Sequence, residues 1–173
     1  METTRQEEFG QFMAARWASL VRLAYGLTGD RWLAEDVTQA ALASTYAAWW
    51  RVRRADDPDA YVRRILVNTS NRRFRRRRVT EHARAPGELP DRPVADPCDL
   101  IGQRSALLSA LRELPGRQRA IVVLRYWEDL SDAQVAAALG CTEGTVRSQA
   151  SRALAKLRGS AALADVVPGR GAA

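Results

Sequence analysis

The stretch from Ser131 to Arg158 constrains this chain most, because it specifies two short helices and the turn between them. Ser131, followed three residues on by Gln134, has the form of a capping box. Val135 and Leu139 are four apart and share one helix face. Gly140 stops the first helix, since the left-handed terminal conformation costs glycine least. Thr142 is placed to cap the second. On that helix Val146, Ala150, Ala153 and Leu157 fall within a narrow arc at about 100° per residue. Thr145, Arg147, Ser148, Ser151, Arg152 and Lys156 fall on the opposite, wide arc, which holds hydroxyls and cations and no large apolar residue. Such a face suits a helix in a DNA major groove, with cations on phosphates and short polar groups on base edges. A solvated amphipathic hairpin is the alternative. The cap and glycine positions favour a helix-turn-helix.

The remaining composition is compatible with a polyanionic partner, nucleic acid or a membrane surface. The formal net charge is +7 over 173 residues. Lys156 is the only lysine, so nearly every cation is an arginine, whose forked donors suit phosphate and guanine. An arginine- and alanine-rich composition also follows from genomic base bias. Cys98, Cys141 and His82 make no metal-ligand cluster, and no metal or cofactor is expected. Cys141 reads as a small buried turn residue, and a Cys98–Cys141 disulfide is disfavoured. The N-terminus lacks an apolar signal core, and no apolar run approaches the roughly 20 residues of a membrane span. The expectation is a soluble, cytoplasmic chain without membrane insertion.

In chain order, Phe9, Phe12, Met13, Trp17, Leu20, Val21, Leu23 and Ala24 predict a helix that residues 26–30 break. Asp30 is placed to cap a second helix carrying Trp32, Leu33, Val37, Ala40 and Ala41, and continuing through Tyr46, Trp49 and Trp50. Those three aromatics invite a base-stacking role, but their spacing favours core. Residues 52–57 read as a loop. Asp57 and Pro58 start a third helix, with proline where its missing N–H costs nothing. Tyr61, Val62, Ile65 and Leu66 give it an apolar side, and it ends in a basic run over residues 71–78. That run reads as a phosphate-contacting helix end, or as a frayed, solvated one.

Residues 79–104 hold four of the seven prolines and read as an extended linker. Segment charges agree, at net +6 for residues 1–78, −2 for 79–104 and +3 for 105–158. Past the linker, Leu107, Leu108, Leu111 and Leu114 predict one helix and residues 117–127 another. The helix-turn-helix follows, and residues 159–173 read as a frayed tail. No strand pattern stands out. The expected fold is all-α: two small helical domains, 9–78 and 105–158, the second a helix-turn-helix without a wing, joined by a flexible linker.

Four motifs carry a resemblance to a known family. Asp30-Arg-Trp-Leu-Ala-Glu-Asp-Val-Thr-Gln39 resembles region 2.2 of the bacterial extracytoplasmic-function sigma factors. Tyr61-Val-Arg-Arg-Ile-Leu-Val-Asn68, with Asn71, Arg72 and Arg73, resembles region 2.4. The run from Leu111 to Tyr126 resembles region 4.1, and Gly144-Thr-Val-Arg-Ser148 resembles region 4.2. Order and spacing together are far more specific than any one motif. Gln149-Ala150 replaces the common Arg-Leu, which resembles the actinobacterial sigma-E-type subgroup.

The resemblance implies a non-enzymatic promoter-specificity subunit that binds core RNA polymerase and promoter DNA. An anti-sigma factor is a further partner compatible with the family. Glu35, Asp36 and Gln39 are then candidates for polymerase docking. Arg63, Arg64, Asn68, Asn71, Arg72, Arg73 and Arg75 are candidates for the −10 element. Thr145, Arg147, Ser148, Ser151, Arg152 and Lys156 are candidates for the −35 element. A stand-alone helix-turn-helix regulator is the alternative, and it leaves the first two motifs unexplained. A nucleic-acid enzyme finds no carboxylate, histidine or cysteine constellation in the sequence.

Overall fold

The computed structural model describes the backbone of residues 2–83 and 99–164, and the side chains of 4–76 and 104–163. These residues form helices, with no strand among them. Helices α1 (Glu2–Thr28), α2 (Arg31–Ala47), the short α3 (Trp49–Val52) and α4 (Pro58–Ala83) build a first lobe. Helices α5 (Asp99–Glu113), α6 (Gly116–Val122), α7 (Asp132–Leu139), α8 (Glu143–Arg158) and α9 (Ala161–Ala164) build a second. Helix α6 runs on into a π-helical turn, Val123–Trp127.

The caps follow from local chemistry. Asp30 accepts from Leu33 N at 2.8 Å, and Asp57 accepts from Ala60 N at 2.8 Å. Each satisfies a first-turn N–H that has no partner inside its helix. Leu20, Leu23, Ala24, Val37, Ala41, Val62 and Leu66 form the first lobe's core. Thr38 and Thr45 lie in it too, and each hydroxyl donates back one turn, to Ala34 O and Ala41 O, at 2.8 Å.

Several boundaries differ from the sequence expectation. Helix α1 runs through Gly26 and stops only at Gly29, which takes φ +68° and donates to Tyr25 O at 2.7 Å. Gly26 is buried because a Cβ there would stand 2.9 Å from Val123 Cγ1 of the second lobe. The second helix ends at Ala47 rather than Trp50, and Val52 lies fully in the core rather than in a loop. Helix α4 continues past Arg78 to Ala83, and α5 begins at Asp99, so both ends of the expected linker are helical. The expected tail is also partly structured. Ser160 is buried and donates to Glu113 at 3.1 Å, and Ala162 and Leu163 pack on the core. Residues 84–98, with Cys98, and residues 165–173 lie outside the described residues.

The lobes are not held apart. One continuous apolar cluster runs through both. At its seam Arg22 pairs with Glu128 at 3.1 Å, and Arg112 donates to Gly29 O at 2.9 Å. Arg119, 6% exposed, donates to Leu27 O at 3.0 Å, to Arg112 O at 3.1 Å and to Leu114 O at 3.0 Å. The Arg119 guanidinium also lies 4.2 Å from the Phe74 ring centroid of α4. The π-helical turn contributes here. Its widened ring, with Glu128 N reaching Val123 O at 3.1 Å, changes the phase of the side chains that follow. Trp127 then lies against Gly26, and Glu128 against Arg22.

A surface pair ties α1 to α4. Arg16 donates to Asp59 and holds its carboxyl below the ordinary value of 3.8, with Arg63 adding to the field. A depressed carboxylate contributes stability above its unfolded pKa and loses it as pH falls through the folded one. The stability gap between the native chain and Asp59→Asn will therefore be open at pH 7. It will close as pH drops below the ordinary carboxylate value of 3.8, which urea melts across the acid range will show.

Candidate nucleic-acid interface

Helices α7 and α8 adopt the turn their sequence specifies. Ser131 Oγ accepts from Gln134 N at 3.2 Å, while Gln134 Oε1 accepts from Ser131 N at 2.9 Å, which completes the capping box. Gly140 takes φ +61°, and Cys141 N closes the turn on Ala136 O at 3.0 Å. Thr142 caps α8 by accepting from Thr145 N at 3.2 Å. Cys141 is a half-buried free thiol packed on the core.

Val146, Ala150, Ala153 and Leu157 are buried, and their arc fixes how α8 is rotated. Arg147, Ser148, Ser151, Arg152 and Lys156 consequently face solvent, with Thr145 half-buried at the helix start. Thr145 Oγ1 lies 3.0 Å from Thr142 Oγ1, and Ser148 donates to Thr145 O at 3.1 Å. Arg147 is engaged at 3.7 Å by Asp132 and at 3.5 Å by Glu143. Gln149 is not part of this face. It accepts from Gln118 of α6 at 3.1 Å, on the inner side of the helix.

The second cationic surface is α4. Arg64, Asn68, Asn71 and Arg75 recur at spacings of four, three and four, one strip of a helix. Asn68, Arg72 and Arg75 are exposed, while Arg63 is half-buried beside Asp59. Two members of the strip lie against the second lobe. The Asn71 amide fills the space a Cβ on Gly116 would need, and Arg64 Nη2 lies 2.9 Å from where a Cβ on Gly140 would stand. Arg73 donates to Asp36 of α2.

The docking candidates share the outer side of α2, which turns Ala34, Val37, Thr38 and Ala41 inward. Glu35 pairs with Arg31 at 3.4 Å, Asp36 with Arg73, and Gln39 is exposed. The aromatic trio divides. Trp49 is buried among Phe9 and Phe12, and Tyr46 packs on Phe9 at 5.0 Å between centroids. Trp50 is 53% exposed, has Arg51 stacked over it at 4.8 Å, and helps line a cleft of about 300 Å³ with Arg5, Glu8 and Arg53. Sequence reasoning passed over Arg119 and Phe74. Their only signals were a cation placed directly before an apolar run and an aromatic interrupting a basic one. Among the described residues no group of three or more histidines, cysteines or carboxylates is placed to hold a metal, and no helix is long and apolar enough to cross a membrane.

Known families match both lobes. Residues 15–80 match the family model for sigma-70 region 2, and residues 104–157 match that for sigma-70 region 4. The RNA polymerase sigma-E factor of Streptomyces coelicolor is 40% identical over 152 residues, spanning 87% of this chain and 84% of that protein. The ECF RNA polymerase sigma factor SigM of Mycobacterium tuberculosis is 35% identical, across 86% of this chain and 74% of its own length. Among solved structures, the sigma factor RpoE in complex with the anti-sigma factor NepR from Bartonella quintana superposes with a TM-score of 0.65. It has 26% identity and covers 88% of this chain and 96% of its own. CnrH in complex with the cytosolic domain of CnrY gives 0.59 at 26% identity, over 94% and 91% of the two chains. A capped helix-turn-helix, a basic α4 strip and these matches along both lobes lead to one assignment: the chain belongs to the extracytoplasmic-function RNA polymerase sigma factors, of sigma-E type, whose function is promoter recognition.

Proposed function

We propose that the three surfaces divide the work of promoter recognition. The outer face of α8 reads the −35 element. The α4 strip with Asn68 and Asn71 reads the −10 element, Arg63, Arg64, Arg72, Arg73 and Arg75 tracking its phosphates and Trp50 available for base stacking. Glu35, Asp36 and Gln39 on α2 dock core RNA polymerase. The observation that carries this reading is the rotation of α8. Burial of its apolar arc turns outward Arg147, Ser148, Ser151, Arg152 and Lys156, hydroxyls and cations that suit a major groove.

The closed arrangement is then a resting form. The −35 and −10 elements are about 25 base pairs apart, roughly 85 Å at 3.4 Å per pair. A compact chain of this length has a radius of gyration of about 16 Å and cannot span that distance. Separation of the lobes also frees Arg64 and Asn71 from Gly140 and Gly116. The step from Ala83 to Asp99 reaches about 50 Å when extended, enough to let the lobes part. The solved relative RpoE holds the anti-sigma factor NepR, and CnrH holds the cytosolic domain of CnrY. A partner of that kind is proposed for this chain, acting in the cytoplasm and without a cofactor.

Purified core polymerase tests the reading, with promoter-dependent transcripts expected only when this chain is added. Arg152→Ala will weaken binding to −35 duplex by about 1–3 kcal/mol if it makes a bidentate base contact. Arg147→Ala will cost less, because Arg147 must first give up Asp132 and Glu143. Unchanged affinity in both variants moves the reading face off α8.

A further inference from the structure

Three charged side chains from three elements meet beside the outer face of α8. Asp132 opens α7, where the positive end of the helix favours an anion. Its Oδ1 lies 3.3 Å from Arg125 Nε of the π-helical turn, and its Oδ2 lies 3.7 Å from Arg147 Nη1 of α8. The Asp132 side chain is 17% exposed, against 61% for Arg147. The intervening backbone brings them together. Asp129 takes φ +52°, and Leu130 N donates back to Leu124 O at 3.1 Å, so α7 starts beside the turn the chain has just left. Glu143 also reaches Arg147, at 3.5 Å, but from one turn earlier on the same exposed helix. Exposed pairs of that kind contribute little. Asp132 is the fixed partner, because Arg125 holds its other oxygen.

A face that meets DNA needs cations turned outward, and this carboxylate occupies one of them. Non-specific attraction to duplex DNA comes from cations that neutralise phosphates and release counterions. A carboxylate held against such a cation subtracts from that attraction at every sequence. A guanine edge differs, since it is neutral and offers two acceptors, O6 and N7. When Arg147 leaves Asp132 for a guanine edge, the carboxylate keeps Arg125 and meets no opposing charge. When Arg147 leaves for a phosphate, the carboxylate is left near a like charge. The penalty therefore falls on the contact that carries no sequence information. Penalising the wrong partner is a general route to discrimination.

We propose that Asp132 is a specificity-determining positioning residue that acts through Arg147. It withholds Arg147 from the phosphate backbone and yields it to a base edge. The proposal rests on the assignment of the outer face of α8 to the −35 element, and it deepens that reading.

The test uses the full-length chain and two duplexes. One is selected by the native chain from a random-sequence pool, and the other has the same composition in scrambled order. Asp132→Asn removes the charge and keeps the shape. Its affinity for the scrambled duplex is expected to rise about fivefold, with the salt dependence steeper by about one unit of log–log slope. Affinity for the selected duplex should change by less than about twofold, so the ratio of the two falls. Asp132→Glu, which keeps the charge, should stay near native. The gain on scrambled duplex should vanish when Asp132→Asn is combined with Arg147→Ala, since it passes through Arg147. An unchanged ratio in Asp132→Asn overturns the proposal. So does an equal loss on both duplexes with a lowered melting temperature, which makes Asp132 structural only. A gain that persists without Arg147 overturns it too, because the carboxylate then acts on DNA directly. The underlying reading fails separately, when Arg147→Ala and Arg152→Ala both leave affinity for the selected duplex unchanged.

Discussion

Arg119→Ala will cost the folded chain about 4 kcal/mol, read as a fall in its urea midpoint. The guanidinium is buried where two helices end. Leu27 O belongs to the last turn of α1, Arg112 O to the last turn of α5, and Leu114 O lies just beyond it. Terminal carbonyls have no partner inside their own helix and carry the negative end of its dipole. One fork of N–H donors satisfies three of them at once. Alanine strands all three, at about 1–3 kcal/mol for each that stays dry. It also removes the stacking on Phe74, which contributes about 1 kcal/mol. Water entering the gap reduces the total, so the estimate sits below the sum. Arg119→Lys will recover about half, because an ammonium is a point charge that cannot span three carbonyls with the same geometry. A loss under about 1 kcal/mol for Arg119→Ala would show that water replaces the guanidinium and that the seam is held by apolar contact alone.

Gly26→Val is the complementary case, because it attacks the seam and spares both cores. A Cβ at residue 26 already stands 2.9 Å from Val123 Cγ1 and 3.6 Å from Trp127 Cδ2. A branched side chain needs more room than the closed form has, and overpacking of this kind costs about 1–3 kcal/mol. Parting the lobes relieves it. The expected result is a rise in radius of gyration by small-angle scattering from the compact value of about 16 Å, with helical content retained. Binding to −35 duplex should persist, since the outer face of α8 is exposed in the closed form. An unchanged radius with a lowered melting temperature would mean that the seam absorbs the strain. Glycine inside a helix costs about 1 kcal/mol relative to alanine, and at residue 26 the approach of Val123 accounts for it.

Legibility in the sequence followed the range of the interaction. Ser131, Gly140, Thr142, Asp30 and Asp57 could be assigned because a cap acts on residues two to four away. The buried arc of α8 was equally readable, since it needs only helical periodicity. Trp49 and Trp50 could not be told apart, because adjacent positions differ only in which neighbour reaches them. Phe9 and Phe12 cover Trp49, and they stand about 40 residues earlier in the chain. Val52 was misread as loop for the same reason, and residues 26–30 as a break because two glycines there looked alike. Only Gly29 adopts the left-handed conformation that ends a helix. Gln149 marks a departure from the commoner motif, yet its pairing with Gln118 removes it from the reading face.

The sequence by itself determined the helices, their caps, the orientation of α8 and the family, all of which rest on local periodicity and motif order. The tertiary structure decided which predicted contacts are already occupied. Asp36 holds Arg73, Gly116 abuts Asn71, and the second lobe closes on α4 through Arg119 and Phe74. The hydrogen bonds and ion pair that cross from the first lobe to the second at Gly29, Leu27 and Arg22 join residues 83 to 106 positions apart. No periodicity carries such pairings. They depend on how two apolar surfaces, each formed locally, come to exclude water against one another.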